Sequence, residues 1–196
     1  TASFGSNNSR VLFNMGADVG IVEIDNVSLV QVLEDEPLPA PMVSAPTPPA
    51  RDAADVISIF SDSYTNIEVG SFATEWSQGA TVDKVEIASG DSALLYNLPQ
   101  FAGIQLGNSI DLTEFTHFHF DYWIADTSLA DGAVINPKLS NHANLPDAEG
   151  ETSAIGFTNP VSTAGTWVSF DVELDDFVSE SSNGFLDRDK IFQIVL

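Results

Sequence analysis

The chain has no cysteine and only six lysines and arginines, against 29 aspartates and glutamates. Without cysteine it can form no disulfide, no thiolate nucleophile and no zinc site with sulfur ligands. The formal net charge of −23 excludes nucleic-acid binding through neutralised phosphates and makes an anionic membrane surface a poor partner. No apolar run approaches the roughly 20 residues of a membrane helix, so we expect no membrane insertion.

Hydrophobic residues are nevertheless frequent enough to build a core. They make up 43% of the 196 residues, and aromatic residues make up 10%, which argues against global disorder. That length suits one domain of about 150 residues plus a remainder. The first residues include neither a basic leader nor an initiator Met, and we expect the chain to be part of a longer polypeptide.

A proline-rich segment divides the chain, because six of the ten prolines lie between Pro37 and Pro49. Proline fixes φ and removes an amide donor, which predicts an extended, semi-rigid spacer without a packed core. We therefore predict a linker at 34–50 and a main domain at 51–196. Residues 1–33 are too few for a stable domain and are interpreted as the last strands of a preceding β-sandwich.

The main domain is predicted to be all-β, because many short apolar segments alternate with turn signals. The predicted strands are 56–60, 84–88, 93–96, 103–106, 117–124, 133–139, 153–157, 166–174 and 191–196. Turn signals include Asn159-Pro160 and Ala164-Gly165, and 177–182 is predicted to be a loop. Strands at this short, even spacing indicate a β-sandwich, barrel or jelly roll.

Two of these strands show a clear two-residue alternation, which assigns their faces. In the first, the apolar positions 118, 120, 122 and 124 are predicted to face inward, opposite an outer row of His117, His119, Asp121 and Trp123. In the second, the inner row is Val168, Phe170, Val172 and Leu174, and the outer row is Trp167, Ser169, Asp171 and Glu173. The His117, His119 and Asp121 spacing suits metal ligands. We favour the alternative, in which these side chains pack or form hydrogen bonds on a partly exposed face.

Several motifs resemble those of carbohydrate-binding modules. Residues 22–29 (VEIDNVSL) resemble the closing strand of family 4/9-type modules, which commonly carries Asp-Asn-Val or Asp-Asn-Ile. The main domain resembles a second β-sandwich module of secreted polysaccharide-degrading or surface glycan-binding proteins of marine Bacteroidetes, through the motifs at 55–64, 75–78, 120–123, 167–172 and 191–194. The resemblance implies a jelly-roll fold, a secreted or cell-surface location, and non-catalytic polysaccharide binding beside a catalytic domain.

Glycan binding requires flat apolar surfaces for sugar rings, flanked by groups that hydrogen-bond hydroxyls. Trp123 and Trp167 each interrupt a polar strand face, and Trp76 lies in a loop-like stretch with Glu75 and Gln78. For Trp167 we favour a structural role at the edge of the core, whereas for Trp76 and Trp123 the structural and binding roles are left open. The predicted ligand-binding residues are Trp76, Trp123, Tyr64, Phe101 and Gln78.

Calcium is the ion that the resemblance implies, since modules of this kind often hold one through carboxylate and backbone oxygens. Such hard oxygen ligands suit Ca²⁺, and no EF-hand loop is present. The predicted ligands are Asp25, from its place in the family-like closing strand, and Asp62, from the opening strand motif.

Catalysis is not expected from the paired acids. Glu23 and Asp25 resemble the Glu-x-Asp-x-x-Glu strand of family 16 glycoside hydrolases, in which two carboxyls lie about 5 Å apart. However, Ser28 occupies the third acidic position, and Glu173 with Asp175 fails in the same way. Three hypotheses remain: a polysaccharide-binding module, a structural or adhesive repeat that self-assembles through the N-terminal strands, and a fragment of a glycoside hydrolase. The acidic surface favours an uncharged, β-glucan-like polysaccharide over a polyanion.

Overall fold

The computed structural model describes residues 40–97, 100–125, 132–143 and 150–196. The chain divides into two units, Thr1–Glu36 and Pro37–Leu196, and all described residues belong to the second. The predicted strands within 1–33 and the predicted calcium ligand Asp25 therefore lie outside the described residues.

Short strands provide almost all regular structure of the described residues, together with two 3₁₀ turns at Ala53–Asp55 and Leu174–Asp176. This confirms the all-β prediction. The strands are β1 (Val69–Ser71), β2 (Thr81–Ala88), β3 (Asp91–Asn97), β4 (Gly103–Ile110), β5 (His117–Trp123), β6 (Val134–Ile135), β7 (Lys138–Asn141), β8 (Ser153–Gly156), β9 (Asn159–Pro160), β10 (Trp167–Glu173), β11 (Val178–Ser179) and β12 (Ile191–Val195).

Two antiparallel sheets form a sandwich. The larger has six strands in the order β1-β4-β12-β7-β8-β11. The smaller pairs β5 with β10 in continuous register, from Trp123 opposite Trp167 to His117 opposite Glu173. Two separate antiparallel pairs, β2 with β3 and β6 with β9, complete the arrangement.

The core lies between the six-stranded sheet and the β5–β10 pair. Phe170 is only 4% exposed, and its ring centroid lies 4.8 Å from that of Phe120 and 5.5 Å from that of Phe157. The six-stranded sheet contributes buried side chains that include Ile104, Leu106, Leu139, Ile155 and Ile194. Phe118, Phe120, Tyr122 and Val172 pack against this cluster, which confirms the inward position predicted for these residues from the alternation. Ile124 and Val168, which were predicted to face inward as well, are not part of the cluster.

Several short segments differ from the sequence-based expectation. No strand was predicted at β1, and the strand predicted at 133–139 is divided into β6 and β7. Residues 56–60 form no strand and contribute only an isolated bridge, from Ser58 to Asn66. Conversely, β9 occupies the predicted turn at Asn159, and β11 lies within the predicted loop at 177–182. Both strands are two residues long and pair with one neighbour only. A strand this short carries no readable alternation, and Pro160 is tolerated because an edge position needs no amide donor.

Candidate functional site

The loop at residues 72–80 is fixed to the beginning of β4. The Thr74 amide donates to the Gly103 carbonyl (3.0 Å), and the Gly103 amide donates to Ser77 Oγ (2.9 Å). Ser77 is fully buried, and its Oγ also lies 2.9 Å from Thr74 Oγ1. Trp76 lies between Thr74 and Ser77, which both bond to Gly103, so the backbone that carries its ring is held on both sides.

The Trp76 ring lies directly over Gly103. A Cβ atom built at Gly103 would overlap the Cη2, Cζ2 and Cζ3 atoms of the indole, so a side chain is incompatible with this approach. Phe101 packs beside the indole, with ring centroids 6.1 Å apart and planes inclined by 30°. Trp76 nevertheless stays 40% exposed. The structure thus presents a rigid aromatic surface to solvent.

Gln78 lies in the same loop, two residues after Trp76. Its backbone has a φ of 51°, and Gly79 follows with a φ of 89°, so the chain turns sharply through the left-handed region. The Gln78 side chain is exposed, as is that of Glu75. Three of the five predicted ligand-binding residues therefore lie in one region, which we call the Trp76 surface: Trp76, Phe101 and Gln78.

Trp123 lies elsewhere, on the outer face of the β5–β10 pair. It is half-buried, as is its register partner Trp167. The two rings line an open groove of about 500 Å³ together with Gly165, Thr166 and part of the Pro-rich segment (Ala40, Pro41, Met42, Val43, Ser44 and Pro46). We call this the Trp123–Trp167 groove. Trp76 is not among its lining residues.

The described part of the Pro-rich segment, residues 40–50, forms neither helix nor strand, and it is not a contact-free spacer. Trp167 Nε1 donates to the Val43 carbonyl at 2.9 Å, and both carboxylate oxygens of Asp171 accept from Arg51, at 2.9 and 3.0 Å. An outward-facing tryptophan has an apolar ring and one N–H donor to satisfy, and the segment supplies both contacts. Trp167, for which we predicted a structural role, makes this contact outside the core.

The remaining predicted residues have separate local partners. The Tyr64 hydroxyl donates to the Arg51 carbonyl at 3.4 Å, at the end of the Pro-rich segment. Asp62 is exposed, and its Oδ2 accepts from the Ser92 amide at 2.7 Å, which connects the 61–64 turn with β3. Neither contact brings these two side chains to the Trp76 surface, so their predicted roles stay predictions.

His119 and Asp121 of the predicted row lie among polar and charged side chains of β5 and β10. His119 Nε2 lies 3.3 Å from Asp121 Oδ2, and its Nδ1 lies 3.5 Å from Asp171 Oδ1. Ser169 Oγ donates to Asp121, and Arg51 pairs with Asp171. Both ring nitrogens thus face carboxylates that already have other partners. This is the alternative that we favoured over metal ligation.

Within the ranges 40–97, 100–125, 132–143 and 150–196, no group of three His, Asp or Glu side chains is close enough to hold a metal ion. His117 instead lies 2.8 Å from Thr116 Oγ1 through its Nδ1. Since Asp25 is outside these ranges, calcium binding stays a prediction.

A polar cluster around the buried Ser140 and His142 was not predicted from the sequence. Ser140 Oγ lies 3.1 Å from His142 Nε2 and donates to Glu151 Oε2 at 2.7 Å, while Lys138 pairs with the same carboxylate at 2.8 Å. A nucleophilic triad needs the acid on the far nitrogen of the histidine and an accessible serine. Here the acid contacts the serine, which is 1% exposed. The only local signal was the Ser140-x-His142 alternation, and Glu151 comes from a separate segment.

Tyr96 of β3 forms a hydrogen bond to the beginning of the loop that carries Trp76. Its hydroxyl donates to the Phe72 carbonyl at 2.9 Å, and burial raises its pKa to about 12 from the ordinary 10.0. Because the folded pKa exceeds the unfolded one, the stabilisation is complete below about pH 10 and is lost as the pH rises toward 12.

We expect Tyr96→Phe to reduce this alkaline loss of stability, measured as urea midpoints between about pH 9 and 12.

Spectroscopic titration supplies the control for this prediction. Tyr96→Phe should remove a tyrosinate absorbance transition centred near pH 12. Removal of a transition near the ordinary value of 10.0 instead would contradict the assigned cause, since it would place the hydroxyl in water.

In the described part of the chain, no helix has both the length and the apolar character needed to cross a membrane. The motif resemblance to carbohydrate-binding modules is carried by the sequence motifs alone. No family model matches the chain, and the searches of curated proteins and of solved structures likewise give no match.

Proposed function

We propose that residues 51–196 form a non-catalytic domain that binds an uncharged polysaccharide at the Trp76 surface, within a secreted or cell-surface protein. The observation that carries the proposal is the 40% exposed indole of Trp76, held on Gly103 by two backbone anchors. Bound to glycan, such a domain raises the local concentration of any attached catalytic domain on its polysaccharide.

The exposed part of the Trp76 ring sets the size of the expected contribution. A tryptophan side chain offers up to about 250 Å² of surface, so 40% exposure leaves roughly 100 Å² available for the C–H face of a sugar. At about 25 cal/mol per Å², its burial stabilises a complex by ~2–3 kcal/mol. Little of this is lost to ordering, because the ring is already fixed by Phe101 and Gly103.

Charge selects among glycans. The net charge of −23 repels a polyanion such as alginate, whereas an uncharged β-glucan meets no such barrier. Two residues after Trp76 in the same loop, the exposed amide of Gln78 can both donate to and accept from sugar hydroxyls. These features support a neutral polysaccharide as the ligand.

Affinity electrophoresis tests the proposal. We expect gels containing laminarin or xylan to retard the chain more than gels containing alginate. Trp76→Ala should weaken the apparent affinity roughly 30- to 150-fold, which corresponds to the ~2–3 kcal/mol above. Phe185→Ala is the matched control, because Phe185 is an aromatic residue that is 57% exposed outside the Trp76 surface.

Two outcomes would oppose the proposal. Unaltered migration in every gel would leave a structural β-sandwich as the better description. Equal weakening by Trp76→Ala and Phe185→Ala would show nonspecific adsorption through exposed apolar side chains.

A further inference from the structure

The Pro-rich segment contacts the β5–β10 pair at two fixed points on one strand. Trp167 Nε1 donates to the Val43 carbonyl, and Asp171 accepts both hydrogen bonds of the Arg51 guanidinium. Trp167 and Asp171 are four residues apart on β10 and therefore lie on the same outer face. The segment from residue 43 to residue 51 is thus held at both ends.

Between these points the burial of the segment repeats every three residues. Ala45, Pro48 and Arg51 are half-buried, and the residues between them are exposed. The stretch is neither α-helix nor β-strand. A period of three is that of the polyproline II helix, which has three residues per turn. Pro46, Pro48 and Pro49 favour this conformation because the pyrrolidine ring presets φ.

The groove has the features that recognise such a helix. Polyproline II has no internal hydrogen bonds, so its carbonyls are available to an external donor such as the Trp167 indole. Aromatic side chains line the groove, and proline rings pack against such surfaces at low entropic cost. Met42 and Val43, by contrast, are 83% and 67% exposed, so the contact depends on backbone and proline rather than on large apolar side chains.

We infer that the Trp123–Trp167 groove is a polyproline-binding site whose ligand is residues 40–51 of the same chain. This goes beyond glycan binding and does not depend on it. The covalent connection keeps the segment at a high effective concentration, which favours the same chain over a second copy. The docked segment forms one wall of the groove and covers the face that carries Trp123 and Trp167, which leaves Trp76 as the open aromatic surface.

NMR of the three indole N–H groups of the intact chain tests the site. We expect the Trp167 N–H to exchange with water at least about tenfold more slowly than that of Trp76, because only the former donates to a carbonyl in the groove. Pro48→Ala should accelerate its exchange, and Arg51→Ala should do so more strongly. Pro49→Ala is the matched control, because Pro49 is the next residue in the chain and its ring is exposed.

A synthetic peptide of residues 40–51 provides the second measurement. Added to the Arg51→Ala variant, it should restore slow exchange of the Trp167 N–H, and a peptide with alanine at each proline should not. Equal exchange of the Trp167 and Trp76 indoles in the unaltered chain would overturn the site. If the unaltered chain sediments as a dimer and Pro48→Ala dissociates that dimer, the occupant is the segment of a second copy, which would overturn the inference. Displacement of the segment by laminarin would make the groove a glycan site, which also overturns the inference.

Discussion

Gly103→Ala should displace the Trp76 ring, lower the free energy of unfolding by about 1–3 kcal/mol and weaken polysaccharide binding at least about tenfold. A Cβ at this position overlaps three atoms of the indole, which is rigid and fixed beside Phe101. The ring must rotate or lift, and in either case the surface offered to the glycan is lost. No atom of the proposed binding surface is removed, so the result isolates ring position from ring chemistry.

Urea unfolding and indole fluorescence measure this effect, and Gly156→Ala is the control. A Cβ at Gly156 overlaps the carboxylate end of Glu180, a flexible side chain that can move into solvent. We expect that variant to change stability by less than about 0.5 kcal/mol. Unchanged emission, stability and retardation in Gly103→Ala would show that Trp76 is not held against the strand.

Phe170→Ala should have the largest effect on stability, a loss of about 3–5 kcal/mol. Phe170 is 4% exposed and contacts aromatic rings of the surrounding core: Phe118, Phe120 and Phe157. Removal of the Phe170 ring leaves a cavity between the two sheets, and the neighbouring aromatic rings are too rigid to move in and fill it. Since domains of this size are stable by only about 5–15 kcal/mol, the variant should be close to unfolding at room temperature.

The urea midpoint at constant salt measures this loss, and the exposed Phe185 provides the comparison. Phe185→Ala removes the same atoms from a side chain that is 57% exposed, so we expect a change within about 0.5 kcal/mol. A similar small change in both variants would contradict the position of the core between the β5–β10 pair and the six-stranded sheet.

The faces of the long strands were predictable from the sequence because they follow from a local rule. In β5 and β10 the two-residue alternation is uninterrupted, and it placed Phe118, Phe120 and Phe170 inward. The two-residue strands β9 and β11 were not predictable, because so short a segment shows no alternation and its pairing partner lies elsewhere in the chain.

The candidate surfaces were predictable only in part, for the same reason. Alternation placed Trp123 and Trp167 outward, and loop composition marked Trp76. The contacts that decide their exposure are long-range: the Val43 carbonyl is 124 residues from Trp167, and Arg51 is 120 residues from Asp171. Single residues at such separations leave no periodic signal. Similarly, nothing local to Trp76 indicated that Gly103 would lie beneath its ring.

The most direct test of glycan binding at the Trp76 surface is an NMR titration of the indole N–H signals with a laminarin oligosaccharide. We expect the Trp76 signal to shift in proportion to saturation, while the Trp123 and Trp167 signals stay in place. A titration in which the Trp76 signal does not move, or in which only the other two respond, would contradict sugar binding at this surface.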